Sequence, residues 1–101
     1  MTIKFLNNEE CAEFFLEGRL DSMTAPDAEK LLIDTVEEKG FLHVLIDFEN
    51  IEYISSAGLR IFMKLYMNLK KKGGDLTARN TPESIMSLFE MTGFVSLFKF
   101  E

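Results

Sequence analysis

A nearly continuous apolar run, Leu42–Phe48, constrains the fold of this chain more than any other feature. Only His43 and Asp47 interrupt it, and so short a run predicts a strand that is covered on both faces. Strands of this kind lie inside parallel or mixed sheets whose connections are helices. The chain is therefore expected to have an α/β fold with this run as its central strand.

Strand and helix patterns precede the run. Thr2–Leu6 and Ala12–Glu17 are short β-type segments, and the polar stretch between them predicts a hairpin. Apolar residues at helical spacing then follow Thr24, which is expected to cap a helix that ends at Gly40. The chain thus reaches the central strand through a hairpin and one helix.

The same alternation continues after the run. Glu49–Ile54 is predicted to be a loop or a short extended link, and a helix is expected over Ala57–Lys72. A short strand, a third helix and a last strand are predicted next: Leu76–Ala78, Thr81–Gly93 and Val95–Phe100. Residues 1–101 are therefore expected to form a single domain, a mixed sheet of about five strands with helices packed against it.

Charge and residue counts exclude several classes of function. The 11 Lys and Arg against 17 Asp and Glu give a net charge of −6, which argues against binding nucleic acid or an anionic membrane surface. One Cys and one His cannot supply the ligands of a zinc or iron site, so no metal or cofactor is expected. The sequence contains neither a leader pattern nor a spanning apolar run, which favours the cytoplasm, and a monomer is the simplest expectation.

The most specific place for chemistry is Ser55–Arg60, where the central strand gives way to a helix. Free backbone N–H groups and the positive end of the helix dipole favour a negative group there, such as phosphate. In a plainer interpretation, one serine only caps the helix and Gly58 only lets the helix approach the sheet. Against it stand the second hydroxyl and the cost of Gly58, roughly 1 kcal/mol relative to alanine in a helix.

The helix behind this turn offers possible contact residues. Met63 and Met67 lie at the edge of its apolar stripe, where methionine serves either as peripheral core or as an adaptable contact residue. Arg60, Lys64 and Lys71 give the exposed face a basic character, so an acidic partner surface could dock beside the turn.

Catalysis by a serine is disfavoured. A hydrolase that used Ser56 would need His43 as its base, because the chain has one histidine. The segment around Ser56 also lacks the G-x-S-x-G pattern of a nucleophile elbow. The turn is therefore predicted to be a substrate or a binding surface and not an active site.

Six short motifs follow one another in a set order along nearly the whole chain. They are Gly18-Arg19-Leu20-Asp21, Thr24-Ala25, Ile46-Asp47-Phe48, Tyr53–Leu59, Gly73–Leu76 and Met91–Phe94. Together they resemble STAS domains, specifically the stand-alone bacterial anti-sigma factor antagonists. The resemblance implies a STAS fold and a non-enzymatic module that binds an anti-sigma factor, itself a GHKL-type serine kinase. It also implies that this kinase phosphorylates the module to end the binding, and that a metal-dependent serine phosphatase reverses the modification.

The resemblance places the phosphorylated serine at Ser56, and the acidic residue of the G-x-L-D segment at Asp21. Family members most often carry Asp before the target serine, whereas this chain has Ser55, so the choice of serine stays open. The expected partner-binding residues lie in and behind the two turns: Asp21, Thr24, Ser55, Ser56, Ala57, Gly58, Leu59, Arg60, Met63 and Met67. The alternative is a STAS subunit of a transporter or lipid-trafficking complex, in which Ser56 is only a helix cap.

Overall fold

The computed structural model describes residues 1–101 as five strands, three α-helices and one short 3-10 helix. The elements in chain order are β1 (Thr2–Asn8), β2 (Cys11–Leu20), α1 (Ala25–Lys39), β3 (His43–Ile54), α2 (Ser56–Lys71), β4 (Asp75–Arg79), α3 (Glu83–Thr92), the 3-10 helix (Phe94–Leu97) and β5 (Lys99–Phe100). The strands form one sheet in the order β1-β2-β3-β4-β5, with β1 antiparallel to β2 and every other neighbouring pair parallel. The predicted α/β fold with a mixed sheet of five strands is confirmed.

The sequential strand order decides which face of the sheet is covered. Each right-handed crossover between neighbouring parallel strands places its helix on the same side, so all three helices pack on one face. Alternate strand residues point into the core beneath them: Ala12, Phe14, Leu16, Val44, Ile46, Phe48, Leu76 and Ala78. The ring of Phe48 lies at the centre of an aromatic group, 5.5 Å from Phe62, 5.5 Å from Phe89 and 5.8 Å from Phe98.

The opposite face of β3 is covered by polar side chains of its neighbours, and Asp47 there is only 7% exposed. The Arg79 Nε donates to Asp47 Oδ2 at 3.1 Å, and Arg79 Nη1 lies 3.2 Å from Glu13 Oε1. The Asn80 side chain donates to the same Asp47 oxygen at 3.0 Å. Burial works against the charged guanidinium, but the two carboxylates outweigh it and raise the pKa of Arg79. The central strand is thus covered on both faces, as its apolar run predicts.

Two segments differ from the sequence prediction by more than a few residues at their ends. Glu49–Ile54 is no link: it continues β3, because it pairs with the second half of β2 as far as Leu20. The predicted strand Val95–Phe100 is mostly wrong, since only Lys99–Phe100 pairs with β4. The consecutive side chains Leu97 and Phe98 are both buried in the core, whereas a strand would point them to opposite faces.

Candidate functional site

Ser55 and Ser56 lie where β3 ends and α2 begins, and they differ in what their hydroxyls do. Ser55 takes the N-cap position: its Oγ accepts the Gly58 N–H at 3.3 Å, and its carbonyl accepts the Leu59 N–H at 2.9 Å. Ser56 is the first helical residue, it is exposed, and its hydroxyl makes no hydrogen bond within the protein. The cap is therefore Ser55, which corrects the alternative reading in which Ser56 is the cap.

The turn is anchored to the neighbouring strand. The Ser55 N–H donates to the Leu20 carbonyl at 2.8 Å. A Cβ on Gly58 would lie 2.8 Å from Leu20 Cγ, closer than Cβ atoms approach in proteins, and 3.0 Å from Ile54 Cγ2, which is a tight contact. Gly58 therefore serves the packing of α2 on the sheet, the plainer of the two interpretations of this residue.

A second turn, between β2 and α1, is held together by Asp21 and Thr24. Asp21 Oδ1 accepts the N–H groups of Met23 at 3.0 Å and of Thr24 at 3.1 Å. Thr24 Oγ1 accepts the Asp21 N–H at 2.9 Å and donates to the Arg19 carbonyl at 2.9 Å. The predicted side-chain cap of α1 is therefore wrong, because these reciprocal bonds occupy the Thr24 hydroxyl. The backbone hydrogen bond from Thr24 is the main cause that lowers the pKa of Asp21.

The two turns are linked through the side chains of Arg19 and Tyr53, a pair that no sequence pattern predicts. The Arg19 guanidinium lies 4.4 Å from the centre of the Tyr53 ring, and Arg19 Nε lies 3.8 Å from Asp21 Oδ2. Arg19 and Tyr53 are register partners on β2 and β3, so their side chains share one face of the sheet. Each belongs to a motif of the resemblance, but only the strand register brings them together.

A shallow groove separates the first turns of α1 and α2 beside Ser56. Its lining residues are Ser22, Ala25, Pro26, Glu29, Ala57 and Arg60. Lys64 Nζ lies 3.2 Å from Glu29 Oε2, so the positive charge of this lysine is already paired across the two helices. Arg60 is exposed and has no carboxylate within ion-pair distance. The predicted basic face therefore reduces, beside the turn, to Arg60.

The remaining candidates on α2 are spread along the helix. Leu59 and Gly58 are buried, and Met63 is partly buried against the core. Met67 is exposed, but it lies 11 residues beyond Ser56, about 16 Å along a helix. At the turn itself, Ser56 and Arg60 are thus the members of the predicted set that are exposed, and Ala57 between them is half-buried.

No catalytic couple forms around Ser56. His43 begins β3 and Ser56 follows its end, so a whole strand separates the two side chains. His43 Nδ1 instead lies 3.0 Å from Asp75 Oδ1, at the end of the sheet where β3 and β4 begin.

No three His, Cys, Asp or Glu side chains are grouped to hold a metal ion. No helix has the length and apolar character needed to cross a membrane.

The Asp21 turn is expected to loosen only in strong acid. Its hydrogen bonds favour the carboxylate and depress the folded-state pKa below the ordinary 3.8, so their contribution is present above 3.8 and lost as the pH falls through the folded pKa. In an NMR titration from about pH 6 to pH 2, the amide signals of Met23 and Thr24 should move together with a midpoint below 3.8. In Asp21→Asn neither amide should titrate in this way, and a midpoint above 3.8 in the parent contradicts the prediction.

The fold and the site define a class of protein: a one-sheet α/β domain with an exposed serine at the start of the helix that follows its central strand. The family model of the STAS domain matches residues 2–101, and the chain belongs to this family. One relative is the anti-sigma-B factor antagonist of Bacillus subtilis, 29% identical over 86 residues, which cover 85% of this chain and 77% of that protein. The anti-sigma-B factor antagonist of Staphylococcus aureus is 27% identical over 97 residues, 96% of this chain and 89% of that protein.

Solved structures share the fold. The anti-sigma factor antagonist SpoIIAA in its unphosphorylated form has a TM-score of 0.85 at 14% identity, with 99% of this chain and 88% of that chain covered. The phosphorylated form of SpoIIAA from Bacillus has a TM-score of 0.78, also at 14% identity, with 99% and 91% covered. At this identity the likeness concerns the arrangement of the strands and helices. The named relatives, by contrast, are regulators of sigma factors, as their name states.

Proposed function

We propose that this chain is an anti-sigma factor antagonist that binds a GHKL-type anti-sigma factor kinase and is switched off by phosphorylation of Ser56. The observation that carries the proposal is that the two serine hydroxyls differ in their hydrogen bonds. Ser55 caps α2, and Ser56 presents an unbonded, exposed hydroxyl at the first position of the helix. The named relatives, which are anti-sigma factor antagonists, support the class of partner.

The geometry favours Ser56 over Ser55 as the target. The Ser55 hydroxyl is half-buried and already accepts the Gly58 N–H at 3.3 Å, so it is less accessible to a kinase than the exposed hydroxyl of Ser56. A phosphate on Ser56 leaves that bond intact and adds about −1.5 to −2 charges at the positive end of the helix dipole. Arg60, one turn further along α2, is exposed and unpaired, so it is available as a counter-charge. The phosphorylated domain can therefore stay folded.

Phosphorylation would act on the partner and not on the fold. A docked kinase would have to remove the water from the phosphate or face it with its own acidic groups, and both lower the affinity. The exposed Ser56 and Arg60 and the half-buried Ala57, together with the ordered Asp21 turn, supply the surface that this charge would interrupt. In this proposal the module acts in the cytoplasm as a monomer, and a metal-dependent serine phosphatase restores binding.

Mass spectrometry of the chain after incubation with ATP, Mg²⁺ and each GHKL-type serine kinase of the source organism tests the proposal. We expect one phosphate, on Ser56, and none on Ser56→Ala. Ser55→Asp is the matched control, because aspartate is as good an N-cap as serine and leaves the Ser56 hydroxyl free. This control should also carry one phosphate, on Ser56. A phosphate on Ser55 of the parent, or no phosphate with any of these kinases, would overturn the assignment.

A further inference from the structure

A second groove runs between the edge strand β1 and helix α1, and most of its lining is apolar. It encloses about 270 Å³, and five of its seven lining residues are apolar: Met1, Ile3, Met23, Ala28 and Leu31, with Thr24 and Asp27 completing it. Met1, Met23 and Leu31 are exposed, and Met23 is 85% exposed. Exposed apolar side chains gathered around one groove are typical of an interaction surface.

Met23 is held in place although it faces solvent. Its N–H donates to Asp21 Oδ1 at 3.0 Å, and the same oxygen accepts the N–H of Thr24 at 3.1 Å. A partner that contacts Met23 therefore loses little further backbone freedom, which favours binding. The unbranched thioether of methionine can also adapt to the shape of a partner side chain.

The groove is continuous with the surface around Ser56. Thr24 lines the groove and also closes the Asp21 turn. Ser22, the neighbour of Met23, lines the other groove together with Ala57 and Arg60. One partner can thus cover the Ser56 turn, the start of α1 and the apolar groove in a single contact.

The charge beside the groove indicates what enters it. Asp27 lines the groove, and its carboxylate has no Lys, Arg or His within ion-pair distance. An apolar side chain next to a Lys or Arg would fill the groove and pair with this carboxylate.

We propose that the β1–α1 groove binds such an apolar side chain, with its basic neighbour, from the same anti-sigma factor kinase that docks on the Ser56 turn. This inference rests on the proposed function and adds to it a second contact site, away from the serine. Because the site does not include Ser56, phosphorylation would leave it intact.

Two exposed methionines provide a matched test. Met23→Ser removes the groove's most exposed apolar side chain, and Met91→Ser makes the same change at a residue that is 83% exposed near the end of α3. Affinity for each purified GHKL-type serine kinase of the source organism is measured by calorimetry. We expect Met23→Ser to weaken binding about tenfold and Met91→Ser to stay within about twofold of the parent.

A direct readout needs no substitution. With the methyl groups of the six methionines labelled, kinase addition should shift the Met23 signal and leave that of Met91 in place. If the parent binds a kinase but Met23→Ser binds equally well, the groove proposal is wrong and the proposed function stands. If the parent binds no kinase, the proposed function falls, and this inference with it. A parent dimer that Met23→Ser dissociates would show instead that the groove binds a second copy.

Discussion

Replacing Ser56 with aspartate is expected to weaken binding of the anti-sigma factor kinase about 100-fold, or about 2.7 kcal/mol. The carboxylate places a negative charge where the phosphate would stand. A docked kinase must remove the water from this charge and offers no positive group to balance it. The domain itself should be unharmed, because a negative charge at the first turn of a helix is favourable. Calorimetric titration of the kinase with parent and variant measures the effect.

Ser56→Asn is the matched control for this prediction. Asparagine has nearly the size and shape of aspartate but no charge, so its affinity should stay within about fivefold of the parent. If asparagine weakens binding as much as aspartate does, bulk and not charge is responsible. An aspartate variant with parental affinity would contradict a charge-operated switch at this serine.

Replacing Arg79 with alanine is expected to lower the free energy of unfolding by about 4 kcal/mol. The guanidinium bridges Asp47 Oδ2 at 3.1 Å and Glu13 Oε1 at 3.2 Å, and both carboxylates are buried. Without it, two negative charges lie side by side in the sheet with no cation to balance them. Urea denaturation followed by circular dichroism measures the loss.

Two further variants separate charge from packing at this cluster. Arg79→Lys keeps a cation but lacks the fork that reaches both carboxylates, so its loss should be intermediate. Adding Asp47→Asn to Arg79→Ala removes one of the two uncompensated charges and should recover part of the stability. A loss below about 1 kcal/mol for Arg79→Ala would mean that the ion pairs of Arg79 with Asp47 and Glu13 contribute little to stability, as exposed ion pairs do.

Local sequence predicts where the candidate site lies but not which hydrogen bonds form within it. The position of the Ser55–Ser56 turn follows from the apolar strand before it and the helical spacing after it. The roles within the turns do not, because serine and threonine hydroxyls choose among nearby backbone groups. Thr24 therefore bonds Asp21 and Arg19 instead of capping α1, and Lys64 pairs with Glu29 across two helices.

The sequence alone predicts the α/β class, the central strand, the helices and the location of the serine turn, because these depend on side-chain period and on residues close in the chain. The three-dimensional structure was needed to decide that Ser55 is the cap and Ser56 is free. It also decided that Arg79 meets Asp47 across 32 residues of chain and that Arg19 stacks on Tyr53. Such contacts depend on strand register and helix packing, which bring together groups whose separation in the sequence carries no local signal.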